Sequence, residues 1–293
     1  MPDIQPAIFA ASVLASLFCL EANASEPVQL PGIANAFRVT DRILSGSQPG
    51  GDAAFRALAD LGVKTIVSVD GAKPDLETAR RFGLRYIHLP IGYDGVPQAR
   101  VPELAKVAQK PAEGLIFVHC HHGKHRGPTA VAIMCEIAEG WSPAKAEEWL
   151  RKAGTGTEYA GLYRSVLEFK PVTKEQIAAV GPLPEIAKTP GIVDAMIAID
   201  EHFDLLKEAQ RAGWQSAPGD ATLLLEQYRE IARLEDTAKR NDSYRALLAK
   251  GTEAATQLAE ALRTHSADKA DAAIKELREN CAACHKEHRN QRK

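Results

Sequence analysis

A chain of 293 residues, 45% hydrophobic and 25% charged, is long enough for one large domain or two modest ones with cores of their own. A formal net charge of −2 excludes the strongly basic classes that bind nucleic acid or coat an anionic membrane. The four cysteines beyond residue 24 are too few for a disulfide-stapled scaffold.

Taken in chain order, residues 7–20 form an apolar run too short to span a bilayer, followed by Glu21-Ala22-Asn23-Ala24. That pattern predicts a secretory signal peptide over 1–24, cut after Ala24, and so a periplasmic or otherwise exported protein. Its first residues depart from the usual pattern in carrying Asp3 and no Lys or Arg. No later stretch is apolar for long enough to cross a membrane.

Residues 36–170 alternate strand-like runs (64–69, 85–89, 114–119) with helical ones (52–61, 74–82, 101–109, 128–139, 142–153). This rhythm predicts an α/β domain over 25–172, with a central, mostly parallel sheet flanked by helices. Pro182, Pro184 and Pro190 then mark 173–190 as a linker. From 191 to 293 the pattern is purely helical, in segments 191–211, 219–239, 242–264 and 267–290. Long helices joined by short turns predict an all-α four-helix bundle, with Asp242 and Ser266 as N-caps.

Cys281-Ala-Ala-Cys284-His285 is C-x-x-C-H, the attachment pattern of a covalent c-type haem. Thiolates three apart share a helix face and can each add to a vinyl group, while His285 offers a nitrogen to the iron. Ile274, Leu277, Cys281, Cys284 and His288 follow helical steps, which places both cysteines on the apolar seam. Two other readings are a redox C-x-x-C and half a zinc site completed by His202, His265 or His288. A motif near the end of the last of four helices resembles the class II c-type cytochromes, cytochrome c′ among them, over residues 191–293. The resemblance implies one haem c with His285 as proximal iron ligand. It also implies a sixth position faced by the first helix, filled by Met in some members, and pairing of two copies through the first two helices. On the apolar seam of that helix lies Met196, the only Met of the region, with His202 on the flank.

His119-Cys120-His121-His122-Gly123-Lys124-His125-Arg126 is H-C-x5-R between an apolar strand and a helix. A cysteine at a helix N-terminus, ringed by backbone N–H groups and facing Arg126, suits attack on phosphorus as a thiolate. Residues 121–126 then form the phosphate-binding loop, with the guanidinium on the transferring group. Gly123 permits the positive-φ turn of such a loop. The segment resembles the cysteine-dependent phosphatases of the dual-specificity type over about 36–170, closest to the plant and fungal atypical members. Ser45-Gly46-Ser47-Gln48-Pro49 and His88-Leu89-Pro90-Ile91 share in the likeness. It implies Cys120 as nucleophile, Arg126 as phosphate clamp, and an Asp after the third strand as general acid. Asp94 is the candidate there, with Asp70 as the second choice. Where the family has Ser or Thr after the Arg, this chain has Gly127, with Thr129 two positions on. Further readings are a metal cluster of His119, His121, His122 and His125, and a rhodanese-like sulfurtransferase. Cys135 reads as a small core residue or as a disulfide partner for Cys120.

Two functions therefore stand. One is an exported phosphatase acting on a phosphorylated small molecule or phosphoprotein, controlled by haem redox or ligand state. The alternative is an electron-transfer cytochrome with its own redox partner protein, whose phosphatase-like domain is an anion-binding or docking module.

Overall fold

The computed structural model describes residues 25–109, 114–215 and 218–289; the signal-peptide reading of 1–24 lies outside them. Six strands, β1 (Glu26–Pro27), β2 (Phe37–Arg38), β3 (Ile43–Ser47), β4 (Val63–Ser68), β5 (Arg85–His88) and β6 (Leu115–Cys120), form one sheet. Their spatial order is β1-β2-β3-β6-β4-β5. The four strands β3, β6, β4 and β5 are parallel, while β1 and β2 add an antiparallel edge, so the sheet is mixed where a mostly parallel one was expected. Neither short edge strand has the apolar alternation that marks a strand in sequence. In β3, Ser45-Gly46-Ser47 is too polar to read as a strand, yet parallel pairing with β6 buries it throughout.

Helices cover both faces: α1 (Gly51–Asp60), α2 (Leu76–Arg81), α3 (Val101–Gln109), α4 (Arg126–Glu139), α5 (Pro143–Ala153) and α6 (Ala160–Leu167). One apolar cluster joins Val67, Val118, Ile133 and Trp149, and a second on the other face joins Phe55, Leu58, Ile66 and Phe117. Strand β6 feeds both faces, which is why Leu115–Val118 is continuously apolar. The sheet thereby delivers Cys120 to the carboxyl edge, and α4 starts only six residues later with Arg126.

The expected linker is an ordered strap. It contains α7 (Lys174–Ala178), opened by a Thr173–Gln176 capping box. Val172 and Leu183 pack on the sheet's core, the backbone N–H of His88 donates to the carbonyl of Pro184 at 2.8 Å, and Lys106 donates to the carbonyls of Val180 and Gly181. Its prolines fix an extended course; they do not free it.

The C-terminal region is helical: α8 (Ile192–Arg211), α9 (Pro218–Arg233), the short α10 (Glu235–Ala238), α11 (Asp242–Arg263) and α12 (Ala267–Cys284), which continues as a π-helical turn over His285–Arg289. Helix α8 packs on α9, α9 on α11 and α11 on α12. The shared core includes Leu206, Leu224, Ile231, Leu258, Ile274 and Leu277, all fully buried. Each such side chain contributes about 1.5–3 kcal/mol of burial. Asn241 caps α11 by accepting from the N–H of Tyr244, so Asp242 is its first helical residue; Ser266 precedes α12 without a side-chain capping bond.

Candidate active site and the C-x-x-C-H cleft

The loop between β6 and α4 is held from outside by its carbonyl groups. Those of His121, Gly123 and Lys124 accept from the N–H of Gln48 (3.2 Å), the side-chain amide of Asn35 (2.9 Å) and the hydroxyl of Thr155 (2.6 Å). Carbonyls engaged outward leave the loop's N–H groups for the centre, the arrangement of an anion-binding nest. Gly123 has φ 71°, and a side chain there would strike the backbone of Gly46 and Ser47. This is the residue at which the loop needs glycine.

Arg126, the first residue of α4, is 2% exposed, as is Cys120. Its Nη2 donates to Asp70 (3.1 Å), to the hydroxyl of Tyr93 (2.8 Å) and to Glu230 (2.8 Å). The guanidinium also lies 4.0 Å above the Tyr93 ring. Its Nε is buried without a partner, as is Nδ1 of His121. The unpaired buried N–H of Arg126 beside the Cys120 thiol is what a bound oxyanion would satisfy.

Burial pushes both His121 and His125 down to about 4, so they are neutral near pH 7. His125 stacks on Tyr159 at 4.2 Å, and His121 lies 4.2 Å from His122. Lys124 lies beside Gly154 at the loop's outer edge. Behind the loop, His119 is fully buried; Tyr86 donates to its Nε2 at 2.7 Å and its Nδ1 faces the carbonyl of Cys120 at 3.3 Å. Among the described residues no three His, Cys, Asp or Glu side chains are grouped to hold a metal ion. The histidines therefore form no metal cluster, and the second cysteine pair gathers no zinc set. Cys120 and Cys135 are both free thiols, and Cys135 is buried in the core.

The two carboxylates proposed as general acid lie apart. Asp94 is exposed and lines a groove with Val96, Gly161 and Arg164. Asp70 is the one against Arg126. Burial would raise its carboxyl, but the bidentate bond from Arg233 (2.9 Å at Nη1), with the Arg126 and Arg233 charges, holds it well below the ordinary range. An aspartate held ionised is a counter-ion, not a proton donor. Thr129, the hydroxyl considered for the place of Gly127, is fully buried and donates to the carbonyl of His125 at 3.0 Å, away from the thiol.

Gly127 itself lies against Cys120. A Cβ there would lie 3.2 Å from the backbone N of Cys120 and 3.5 Å from its Sγ. Gly127→Ser therefore brings a hydroxyl within reach of the departing thiolate. We expect breakdown of the phosphocysteine to quicken about tenfold, the worth of one hydrogen bond to a charged group. Rapid-quench kinetics reads this as a smaller burst and a faster steady state. An unchanged breakdown rate would contradict it.

Helix α9 supplies residues that sequence reasoning missed. Glu226 accepts from Tyr159 (2.9 Å), Glu230 and Arg233 reach Arg126 and Asp70, and Leu223 packs on Tyr93, Tyr159 and Leu162. Positions 226, 230 and 233 share one helix face, a signal that reads in sequence as an ordinary charged surface.

At the far end, Met196, Ile192, Val193 and Ile197 of α8 face Cys284, His285 and His288 across a cleft of about 300 Å3 that also includes Arg240 and Tyr244. Cys281 lies one turn before Cys284, and its Sγ is 3.3 Å from the hydroxyl of Tyr228 on α9. His202, the flanking histidine, instead pairs with Asp220 at 3.3 Å.

Residues 37–180 match the PTP-SAK family model, described as "Swiss Army Knife protein, DSP-PTPase phosphatase domain". The dual specificity protein phosphatase TpbA of Pseudomonas aeruginosa strain UCBPP-PA14 is 27% identical over 125 residues, 42% of this chain and 56% of that protein. The chain thus spans about half the length of the curated relatives it matches. Among solved structures, P. aeruginosa TpbA is similar at 25% identity and TM-score 0.44, covering 53% of this chain and 94% of that one. The core catalytic domain of the yeast (S. cerevisiae) PP-IP phosphatase SIW14, in complex with citrate, is similar at 18% identity and TM-score 0.45, covering 52% and 94%. Residues 37–180 form a dual-specificity phosphatase-like domain, which contains the Cys120–Arg126 loop.

Proposed function

We propose that the protein hydrolyses phosphate monoesters of a small molecule or phosphoprotein through a Cys120 phosphoenzyme, in an exported protein that also carries one haem c. The observation that carries the catalytic half is the Cys120–Arg126 loop, its carbonyls tied outward and the buried Nε–H of Arg126 unpaired. Cys120 attacks phosphorus as the ester bond breaks, and the leaving oxygen takes a proton. Water then attacks the phosphocysteine and releases phosphate and the thiolate. Asp94 is then the candidate acid, since Asp70 is held as the counter-ion of Arg126 and Arg233.

For the haem, the residues present fit. Cys284 and His285 on one wall and Met196 on the other line a single apolar-sided cleft, beside which Val193 and Ile197 are 72% and 54% exposed. Apolar side chains left this open are what a haem edge would cover. In this reading the helical region is a four-helix bundle. Cys281 and Cys284 would hold the porphyrin, His285 and Met196 would be the candidate iron ligands, and the haem would supply redox or ligand-binding chemistry. Control of the phosphatase by that state has a physical route: α9 meets Cys281 through Tyr228 and Arg126 through Glu230.

The test has two arms. Full-length protein matured with haem should hydrolyse p-nitrophenyl phosphate in reducing buffer, and a pyridine haemochrome should survive acid–acetone extraction. Absence of turnover sinks the first half, and loss of the haem band on extraction sinks the second. The sealed position of Cys120 favours the electron-transfer alternative, in which the loop is a docking module that never turns over.

A further inference from the structure

Arg126 spends one of its strongest donors on a carboxylate from the other half of the chain. Glu230, 104 residues downstream, accepts from Nη2 at 2.8 Å, and Arg233 from the next turn binds the same carboxylate at 2.9 Å and 3.0 Å. A carboxylate bound by two guanidinium groups has the charge and fork geometry of a phosphate edge. The backbone makes room for it: the Glu230 carboxylate lies against the α-carbon of Gly71, where any side chain would collide with it. Leu223 and Glu226 continue the cover over Tyr93 and Tyr159, and beneath it Cys120 and Arg126 are each 2% exposed.

We infer that Glu230 is a built-in competitor of substrate: its carboxylate occupies the Arg126 guanidinium in place of a phosphate oxygen, and α9 seals the loop until it is displaced. The inference rests on the phosphatase reading of the loop. Phosphate binds only the open fraction, so apparent affinity is the intrinsic affinity scaled by that fraction. Beside Gly71 a cavity of about 710 Å3 is lined by Gln48, Gly71, His88, Arg233 and Asp236.

Two substitutions displace the carboxylate by different means. Glu230→Gln removes its charge. Gly71→Ala keeps the charge and pushes the flexible end of Glu230 aside, leaving α9 intact. Inorganic phosphate is titrated calorimetrically into the full chain and each variant, with Glu226→Gln as a control that removes a charge from the same face without freeing Arg126. Phosphate should bind about tenfold tighter in both displacing variants, as expected for a wild type open about one-tenth of the time. Glu226→Gln should gain less. Unchanged affinity in both displacing variants overturns the inference. So do equal gains for Glu226→Gln and Glu230→Gln with none for Gly71→Ala, which would reduce the effect to bulk charge. Tighter phosphate binding with no ester hydrolysis would sink the enzymatic reading while leaving the competing contact standing.

Discussion

Cys120→Ser lowers phosphatase turnover by about four orders of magnitude or more, because a serine hydroxyl at the same place has no base beside it to make it a nucleophile. The surroundings support this assignment. Burial holds His121 and His125 down to about 4, so both are weak bases that do not readily take a proton from a serine hydroxyl. Arg126→Lys removes the planar fork but keeps a charge opposite Asp70, so we expect about a hundredfold loss in kcat/KM with the fold retained. Steady-state kinetics on an aryl phosphate, with melting temperatures measured alongside, separates the two effects. Substantial turnover by Cys120→Ser would contradict the phosphoenzyme route.

Asp70→Asn has the largest expected effect on stability. Its carboxylate is 1% exposed and sits between Arg126 and Arg233, so the amide leaves the buried Arg126 and the half-buried Arg233 with Glu230 as their one remaining shared carboxylate. Removing one partner of a buried pair costs about 3–5 kcal/mol, against a total stability of about 5–15 kcal/mol for an ordinary domain. Part of that loss is avoided where α9 lifts away and Arg233 returns to water, so the variant should unfold earlier and loosen at the α9 contact first. Hydrogen exchange resolved along the chain reads this as lost protection in α9 ahead of the sheet. Unchanged protection there would show that the ion cluster does not hold the two halves together.

The same cluster sets the acid response. His119, His121 and His125 are each held down to about 4 by burial, below their ordinary value near 6.5. The unfolded chain binds protons that the folded one refuses, so stability is fully present above about 6.5 and falls as pH drops toward 4. The lowered carboxyl of Asp70 acts in the same direction at still lower pH, its contribution being present above its unfolded value and lost as it protonates. Urea unfolding at pH 7.5 and 5 should show the loss, and a flat profile would contradict the neutral histidines.

Local chemistry was legible in the sequence, and contacts across the chain were not. Cys120 and Arg126 are brought together by a turn between an apolar strand and a helix, so spacing alone located them. The seam of α8 placed Met196 opposite His285 for the same reason: helical periodicity fixes a face. By contrast, Glu230 and Arg126 are joined by packing between two regions, and no spacing rule relates them. The 226–230–233 face of α9 has the composition of any solvated helix surface. Strand β3 escaped notice because Ser45 and Ser47 earn their burial from pairing with β6, not from their own hydropathy. Resemblance gave Asp94 as the candidate acid with Asp70 as second choice; the contact of Asp70, just beyond β4, with Arg126 follows from the need of a buried arginine for a counter-ion, which no spacing in the sequence expresses.

The most direct measurement of the catalytic claim is to trap the intermediate. Wild-type protein in reducing buffer is mixed with p-nitrophenyl phosphate. The mixture is quenched within a turnover, digested and read by mass spectrometry. A phosphate adduct on Cys120 that is absent from Cys120→Ser is the predicted result; hydrolysis proceeding with no adduct, or with the adduct on another residue, would contradict it.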